Sequence, residues 1–538
     1  MFLRVWRWLL ARGPAQLVYE LATGLLLTLG VLLRSNRYWF DALGLWGDEA
    51  SWARRLFRRS LTNYEFRPIG YMNLTRLAVH IYCDEHTIRI LSYAAGLASL
   101  FVVFDISRLL FRSRAVRVVC LATVVFQAFL IDMAREFKPY SEEFCIHLGL
   151  IWLFLRWRRT GTRGWLGALL GCSVFAFLFA YNIVFLLPAI FSILSVTFLR
   201  RRDYRSLTAT VLAAVAALML IVSVYFVALR APDGDSDGAA TFWGNKYDVF
   251  YLANGRAQAR APQSHASWVA HKYLGLVTFP NTQRDQWKFP AWVRPAVSDG
   301  LATLDYYAWI ALHAAGLIAL SLRGRRTLLV MLLSPLILVM AVNWFGVWPF
   351  GVFRTNTFLL AYYVLIPMAG LDLLIRWSRP LGWVVVLASC LLFLGPNFSV
   401  GFDWHTSKRF GTGRTEMRTL LRRLRELREA APVAARADKT HILMDMYSCA
   451  PFEYYTNYDD STRREFGTYI ADNFEFNCTQ SDAHSQALMR RWRGKSYFVV
   501  VTDERSRGAL RALVSKRTRV ISEDRVRDAH DLYFVTGK

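Results

Sequence analysis

Residues 200–229 read RRRDYRS-LTATVLAAVAALMLIVSVYFVAL. The stretch from Leu207 to Leu229 has no charged side chain and exceeds the roughly 20 residues that carry a helix across about 30 Å of hydrocarbon. Arg200, Arg201, Arg202 and Arg205 crowd the residues just before it. Arginines gathered at one end of an apolar run mark the cytoplasmic end of a membrane span.

The same phrase recurs along the chain. Apolar runs near 16–33, 90–110, 116–133, 143–157, 164–180, 182–199, 207–229, 305–322, 327–344, 356–375 and 381–396 give about eleven spans. The pair 164–180 and 182–199 reads as two helices hinged at Tyr181-Asn182, with Pro188 one turn into the second. With a cytoplasmic N-terminus, every second short connection is basic. The first holds Arg112, Arg114 and Arg117; the next holds Arg156, Arg158, Arg159 and Arg163. The Arg200–Arg205 cluster follows, then Arg323, Arg325 and Arg326, then Arg376 and Arg379. The intervening short connections carry little excess positive charge, as the positive-inside rule requires. An odd number of spans leaves the C-terminal region outside. Arg4, Arg7 and Arg12 precede the first run with no small-residue cleavage site after it, so that run reads as a retained helix.

Composition agrees. Of 538 residues, 54% are hydrophobic and 20% charged, which excludes a disordered or collagen-like chain and a string of soluble domains. The net charge of +25 belongs to cytoplasmic loops facing anionic lipid, so membrane lipids are partners and nucleic acid is not.

The fold class is therefore an α-helical polytopic membrane protein with a small C-terminal α/β extracytoplasmic domain. The membrane domain covers 1–399, with external loops at 34–89 and 230–304, and the α/β domain covers 400–538. In the first loop, Trp52, Leu56 and Phe57 alternate with Arg54, Arg55, Arg58 and Arg59, which predicts helices lying in the membrane interface. In the tail, an Arg/Leu helix near 413–429 precedes strand-like runs at His441 to Met446, Tyr497 to Thr502 and Leu532 to Val535. Helical runs lie between them at 481–492 and 504–514. Cys449 and Cys478 are the tail's two cysteines and sit in an oxidising compartment, so a disulfide between them is expected. Cys120, Cys145, Cys172 and Cys390 fall in apolar runs and read as small buried residues.

Ionisable residues near span ends are costly and therefore informative. Three groups stand out. In Trp46-Gly47-Asp48-Glu49-Ala50, two acids sit among bulky apolar residues, where partial desolvation makes a carboxylate a better base. Asp48 could equally be a helix N-cap. In Arg135-Glu136-Phe137-Lys138-Pro139-Tyr140-Ser141, an acid lies between two cations and Pro139 opens the next helix, a pattern that also suits a loop ion pair. In Trp348-Pro349-Phe350-Gly351-Val352-Phe353-Arg354, a lone arginine among aromatics looks like an anion contact or a snorkelling side chain. All three connections fall on the non-cytoplasmic side. A phosphate leaving group departs without protonation, so one carboxylate for the acceptor's proton and cations for the phosphate would suffice. His80, His86 and His147 lack metal-ligand spacing and read as packing or hydrogen-bonding residues. Asp233, Asp235 and Asp237 lack the later glutamate of a calcium loop and read as solvated. Aromatics in the second long loop, Phe242 to Tyr251, could line a sugar or prenyl groove or anchor at headgroups.

These residues, in this order, resemble a polyprenyl-phosphate-dependent glycosyltransferase of the GT-C superfamily, grouped with lipopolysaccharide-core transferases, aminoarabinose transferases and protein mannosyltransferases. The resemblance covers roughly residues 1–400. Its elements are the Asp48-Glu49 pair and the helix start Arg67-Pro68-Ile69-Gly70-Tyr71 running to His80. They continue with Ala134, Arg135, Pro139 and Tyr140, then with Pro349 to Arg354, and Pro367 lies further along. Arg67-Pro68-Ile69 stands where the family has a double proline. The resemblance implies inverting transfer of a sugar from a polyprenyl-phosphate-linked donor to an envelope glycan, lipid or protein. The setting is the periplasmic face of a bacterial inner membrane. Asp48, Glu49 and Glu136 are the implied catalytic residues: Asp48 the base, Glu49 its support, Glu136 binding acceptor or orienting the base. Arg67, His80, Arg135, Lys138, Tyr140 and Arg354 are implied in substrate binding, with Lys138 and Arg354 on the lipid phosphate. No residue set specifies a metal, and a divalent cation is the one candidate cofactor. A lipid-linked oligosaccharide transporter or flippase, and an O-antigen polymerase or ligase, are the competing readings. The first would show repeat symmetry, which the chain lacks, and the second would not need the Asp-Glu pair.

Overall fold

The computed structural model describes residues 13–39, 45, 47–57, 67–229, 267–268, 270, 272–274, 295–322, 325–345, 348–350, 354–380, 382–384, 386–387, 414–430, 439–479, 482–501, 518–526 and 530–537. The chain divides into two compact units. One comprises Met1–Ser35, Thr62–Tyr71 and Leu91–Asp403, and the other Asn36–Leu61, Met72–Ile90 and Trp404–Lys538.

The helices, in chain order, begin with α1 (Pro14–Trp39), α2 (Gly47–Arg55), α3 (Ile69–Val79), α4 (Glu85–Leu110), α5 (Arg114–Val125), α6 (Ala128–Met133) and α7 (Tyr140–Thr160). Then come α8 (Arg163–Phe175), α9 (Leu187–Arg201), α10 (Tyr204–Val224), α11 (Pro295–Ser321), α12 (Arg326–Trp344) and α13 (Leu360–Trp377). Among the described residues, five stretches are long and apolar enough to cross a membrane: Pro14–Asn36, Glu85–Leu110, Tyr204–Val227, Arg326–Asn343 and Thr355–Trp377. Arg163–Leu178 and Tyr306–Ser321 are shorter apolar helices. This is a multi-pass membrane protein. The expected span 381–396 and most of the loop 230–304, with its aromatics and acids, lie outside the described residues.

Two expected spans are broken. The run 116–133 stops at Phe126-Gln127 and restarts as α6. The carbonyls that end α5 lose their helical partners there. Arg34 supplies donors. Its guanidinium reaches the carbonyls of Val124 at 3.0 Å, Val125 at 3.4 Å and, within its own helix, Gly30 at 3.2 Å. The sequence placed Arg34 at the start of a loop, but α1 continues past it to Trp39 and the side chain is fully buried. The second break follows α8, where 3₁₀ turns Ala176–Leu178 and Tyr181–Phe185 form the expected hinge and Pro188 lies in the first turn of α9.

Two acids organise one end of the first unit. Asp105 accepts from Trp152 Nε1 at 2.6 Å and Arg156 Nε at 2.8 Å, which joins the C-terminal ends of α4 and α7. Asp372, near the end of α13, accepts from the backbone N–H groups of Arg112 and Ser113 at 3.0 and 2.9 Å. The basic connections thus meet at one end, as charge predicts. Helices α11 and α13 approach most closely at Gly316 and Gly370. A methyl at Gly316 would overlap the Ile366 carbonyl, and one at Gly370 the Leu312 carbonyl.

In the second unit, five strands form a mixed sheet in the order β2-β1-β3-β5-β4. These are β1 (Thr440–Asp445), β2 (Phe474–Thr479), β3 (Ser496–Val501), β4 (Thr518–Val526) and β5 (His530–Gly537). β1 runs parallel to β2 and β3, while β5 is antiparallel to β3 and β4. One face buries Leu443, Tyr497, Val499, Tyr533 and Val535 against Leu488, Met489 and Trp492. Helix α14 (Arg414–Ala430) buries Met417, Leu420, Leu421 and Leu424 at helical spacing. Helix α15 (Met446–Asn457) starts at Asp445, whose side chain caps the Ser448 N–H at 2.6 Å. The Cys449–Cys478 disulfide ties α15 to β2, as expected. The strands β2 and β4 and the helix α15 are additions to the sequence reading; the predicted helix 504–514 lies outside the described residues.

Helix α2 departs from expectation. Its apolar residues Ala50 and Ala53, with Leu56 just beyond, are fully buried, and α2 packs on α15 rather than presenting that face to lipid. Cys120 is buried, but Cys145 is only half-buried and Cys172 is exposed, against the expectation of a buried residue. Cys390 lies outside the described residues.

Replacing Gly316 or Gly370 by Leu should destabilise the protein by about 1–3 kcal/mol through overpacking. The drop should appear as a lower melting temperature in detergent, whereas Gly167→Ala, with nothing within 4 Å, should leave it unchanged. Burial pushes the Cys83 thiol up to about 12, so it should resist alkylation in the native protein at neutral pH. After unfolding, reductant should add two further adducts by mass, from Cys449 and Cys478.

Candidate functional site

The predicted residues fall in two groups, one in each unit. In the unit containing the sheet, Asp48 is the second residue of α2, and its side chain lies outside the described residues. Glu49 beside it is 1% exposed, and a carboxylate so buried needs a paired cation. Arg89, on the second turn of α4, supplies a two-pronged clamp: Nε to Oε1 at 3.1 Å and Nη2 to Oε2 at 2.7 Å. This fork geometry gives the strongest kind of ion-pair hydrogen bond. One turn earlier on α4, buried Glu85 accepts from the Tyr455 hydroxyl. That hydroxyl accepts in turn from the Leu45 N–H at 3.1 Å. Burial, reinforced by Glu85, holds the Tyr455 phenol well above its usual range, so it keeps its proton. Asp84 caps α4 by accepting from the Thr87 N–H at 2.7 Å. Burial opposes its charge, but hydrogen bonds from His86 and Thr87 prevail and hold its carboxyl down to about 2. His80 sits exposed just past α3. His86 stacks on Trp39 with ring centroids 5.4 Å apart, the packing role read from sequence.

In the other unit, the connection from Asp132 to Tyr140 is held from two sides. Ser92 Oγ donates to the Lys138 carbonyl at 3.0 Å and lies 3.2 Å from the Tyr71 hydroxyl, and the Tyr71 ring stacks on Phe137. Lys138 is only 2% exposed. Arg135, also buried, donates to Asp132 at 2.9 Å, which brings a further acid to the connection. Glu136 is half-buried and its carbonyl accepts from the Lys138 N–H at 2.8 Å. Tyr140 opens α7. Arg67 is buried; its carbonyl accepts from the Tyr181 hydroxyl at 2.9 Å, and the Ile69 N–H donates to the same hydroxyl at 3.2 Å. Gly70 allows this approach, since a methyl there would lie 2.8 Å from both the Leu178 carbonyl oxygen and Cβ.

Arg354 opens a 3₁₀ turn, Arg354–Leu359, that leads into α13; its side chain lies outside the described residues. The opposite end of α13 carries Asp372, bonded to the basic connection, so the Arg354 backbone sits at the same end as Lys138. Tyr362, in the first turn of α13, confirms it. Its hydroxyl lies 2.6 Å from Nδ1 of His147, on the second turn of α7, and the Asn182 Oδ1 lies 3.2 Å from His147 Nε2. This unit therefore gathers Arg67, Arg135, Glu136, Lys138, Tyr140 and the start of the Arg354 turn at its non-basic end.

Sequence reasoning missed the partners. Arg89 was legible only as one arginine before an apolar run. Glu142 and Glu143, in the first turn of α7, were passed over, yet both are buried. Neither Glu142 oxygen has a hydrogen-bond partner among the described residues. Adjacent acids at a helix N-terminus, where the macrodipole favours them, were the available signal. Among the described residues no group of three His, Cys, Asp or Glu side chains is arranged to hold a metal ion.

Arg89→Ala should cost about 3–5 kcal/mol by removing the cation that holds both oxygens of the buried Glu49. The double replacement Glu49→Leu with Arg89→Leu should cost less than Arg89→Ala alone. Thermal unfolding of the three purified proteins checks the order.

No family model matches the chain, and no curated protein matches it. Among solved structures, the chain is similar to ArnT from Cupriavidus metallidurans bound to undecaprenyl phosphate, at 13% identity and a TM-score of 0.50. The match covers 97% of this chain and 98% of that one. ArnT from the same organism in the apo state matches over the same shares at 14% identity and a TM-score of 0.39. The first likeness establishes the fold, which is that of ArnT.

Proposed function

We propose that this protein is an inverting glycosyltransferase that moves a sugar from a polyprenyl-phosphate donor to an envelope glycan, lipid or protein. The reaction takes place at the periplasmic face of a bacterial inner membrane. The observation that carries the reading is a fold shared, over nearly the whole chain, with a structure bound to undecaprenyl phosphate. The cations gathered at one end of the helical unit support it.

In this mechanism an acceptor hydroxyl attacks the anomeric carbon from the face opposite the phosphate. The new C–O bond forms as the bond to the phosphate oxygen breaks, and that oxygen keeps the electron pair. Asp48 takes the hydroxyl proton. Lys138 and Arg354 hold the charge that develops on the departing lipid phosphate, where preorganised cations stabilise the transition state most. Arg67 and Arg135 add positive potential at the same end. Glu49, clamped by Arg89, acts through the helix it shares with Asp48, while Glu136, Tyr140 and His80 contact the acceptor.

Purified protein given defined polyprenyl-phosphate sugars and envelope acceptors, with and without divalent cation, should yield a glycosylated acceptor by mass spectrometry. Asp48→Asn should lower kcat by about 10²–10⁴-fold while leaving membrane insertion intact. Arg354→Ala should chiefly raise KM for the donor. Full activity of the Asp48 variant, or substrate movement across proteoliposomes without bond formation, would remove the proposal.

A further inference from the structure

We infer that the C-terminal α/β domain sets the position of α2, the helix that carries Asp48, and that Tyr455 is the positioning residue through which it does so. The inference rests on the glycosyltransferase reading and assigns the domain a part in that chemistry.

Helix α2 has 9 residues, fewer than the ~12–15 an isolated helix needs to be even marginally stable in water. Its place is therefore set by what it packs on, and that is α15. Three residues of α15 and its end grip the α2 segment along its length. Before the helix, the Tyr455 hydroxyl receives the Leu45 N–H at 3.1 Å. Near the end of the helix, Arg54 pairs with Glu453. Just past it, Phe57 stacks on Tyr458 with ring centroids 4.2 Å apart and planes 6° from parallel.

Tyr455 does more than hold one end. The same hydroxyl donates to Glu85, which lies one turn from Arg89 on α4, and Arg89 holds both oxygens of Glu49. Glu49 is the neighbour of Asp48 in α2. One phenol thus fixes the chain entering α2 and the start of the helix whose arginine fixes α2 itself. Its own helix does not drift, because Asp445 caps it and the Cys449–Cys478 disulfide ties it to β2. Removing the hydroxyl takes one hydrogen bond from the Leu45 N–H and one from the buried Glu85 carboxylate. Displacing a reacting group by about 1 Å costs on the order of 10²-fold in rate.

The test uses the full chain in detergent or proteoliposomes. Tyr455→Phe should lower kcat by about 10- to 100-fold with KM for the polyprenyl-phosphate sugar unchanged. Glu85→Gln, which keeps an acceptor for the phenol, should retain more of kcat than Glu85→Leu. Glu453→Gln, at a partly exposed pair, tests the far end of α2 with little risk to folding, and should lower kcat about 3- to 10-fold at unchanged donor KM. It decides the matter if Tyr455→Phe does not fold. Wild-type kcat in the folded variants, or a loss carried by donor KM, would overturn the inference. A wild-type protein that transfers no sugar would overturn the glycosyltransferase reading instead.

Discussion

A charge taken out of water must meet its opposite or be neutralised, and the clamp of Arg89 on Glu49 is where this protein meets that demand most severely. The pair joins a short helix, α2, to the start of a long one, α4. Neither partner could be buried alone. Their burial therefore requires the surrounding apolar contacts, Ala50, Ala53 and Leu56 on one side and the aromatic residues of α15 on the other, to be in place together. The arrangement is costly in desolvation and returns little net stability; what it supplies is a single geometry.

The same constraint acts on the backbone wherever a span is interrupted. The break between α5 and α6 exposes carbonyls inside the helical unit, and Arg34 reaches across from α1 to meet them. The hinge between α8 and α9 is joined to Arg67 and Ile69 through Tyr181, and to α7 and α13 through Asn182, His147 and Tyr362. Irregular backbone at such depth survives only where protein groups replace water. These interruptions bring the candidate donor-binding cations to one end of the unit.

Much of the architecture was legible because its signals are local. Arginines next to charge-free runs mark spans and their sidedness without reference to any distant residue, and Asp105 and Asp372 show those basic ends meeting. The tail's strands were legible where apolar residues run together, as in Ser496–Val501. They were missed where polar side chains interleave, as in Phe474–Thr479. Periodicity revealed the apolar face of α2 but not its partner, since Ala50, Ala53 and Leu56 would suit lipid or protein alike. Cys172 shows the same limit: a small residue in an apolar helix can face either way. The candidate site was legible in its acids and cations as residue types. The pairing of Glu49 with Arg89 and of Tyr455 with Glu85 depends on folding and has no local trace.

The residues that seat α2 come roughly four hundred positions later in the chain: Leu45 waits for Tyr455, and Arg54 for Glu453. A ribosome makes the acid-bearing helix well before its anchor. Until the later stretch has folded, the half-made polypeptide lacks α15, the helix on which α2 packs. The seating of α2 is thereby timed to the appearance of α15, and a product cut short before it would lack the partners of Leu45 and Arg54 that lie on that helix.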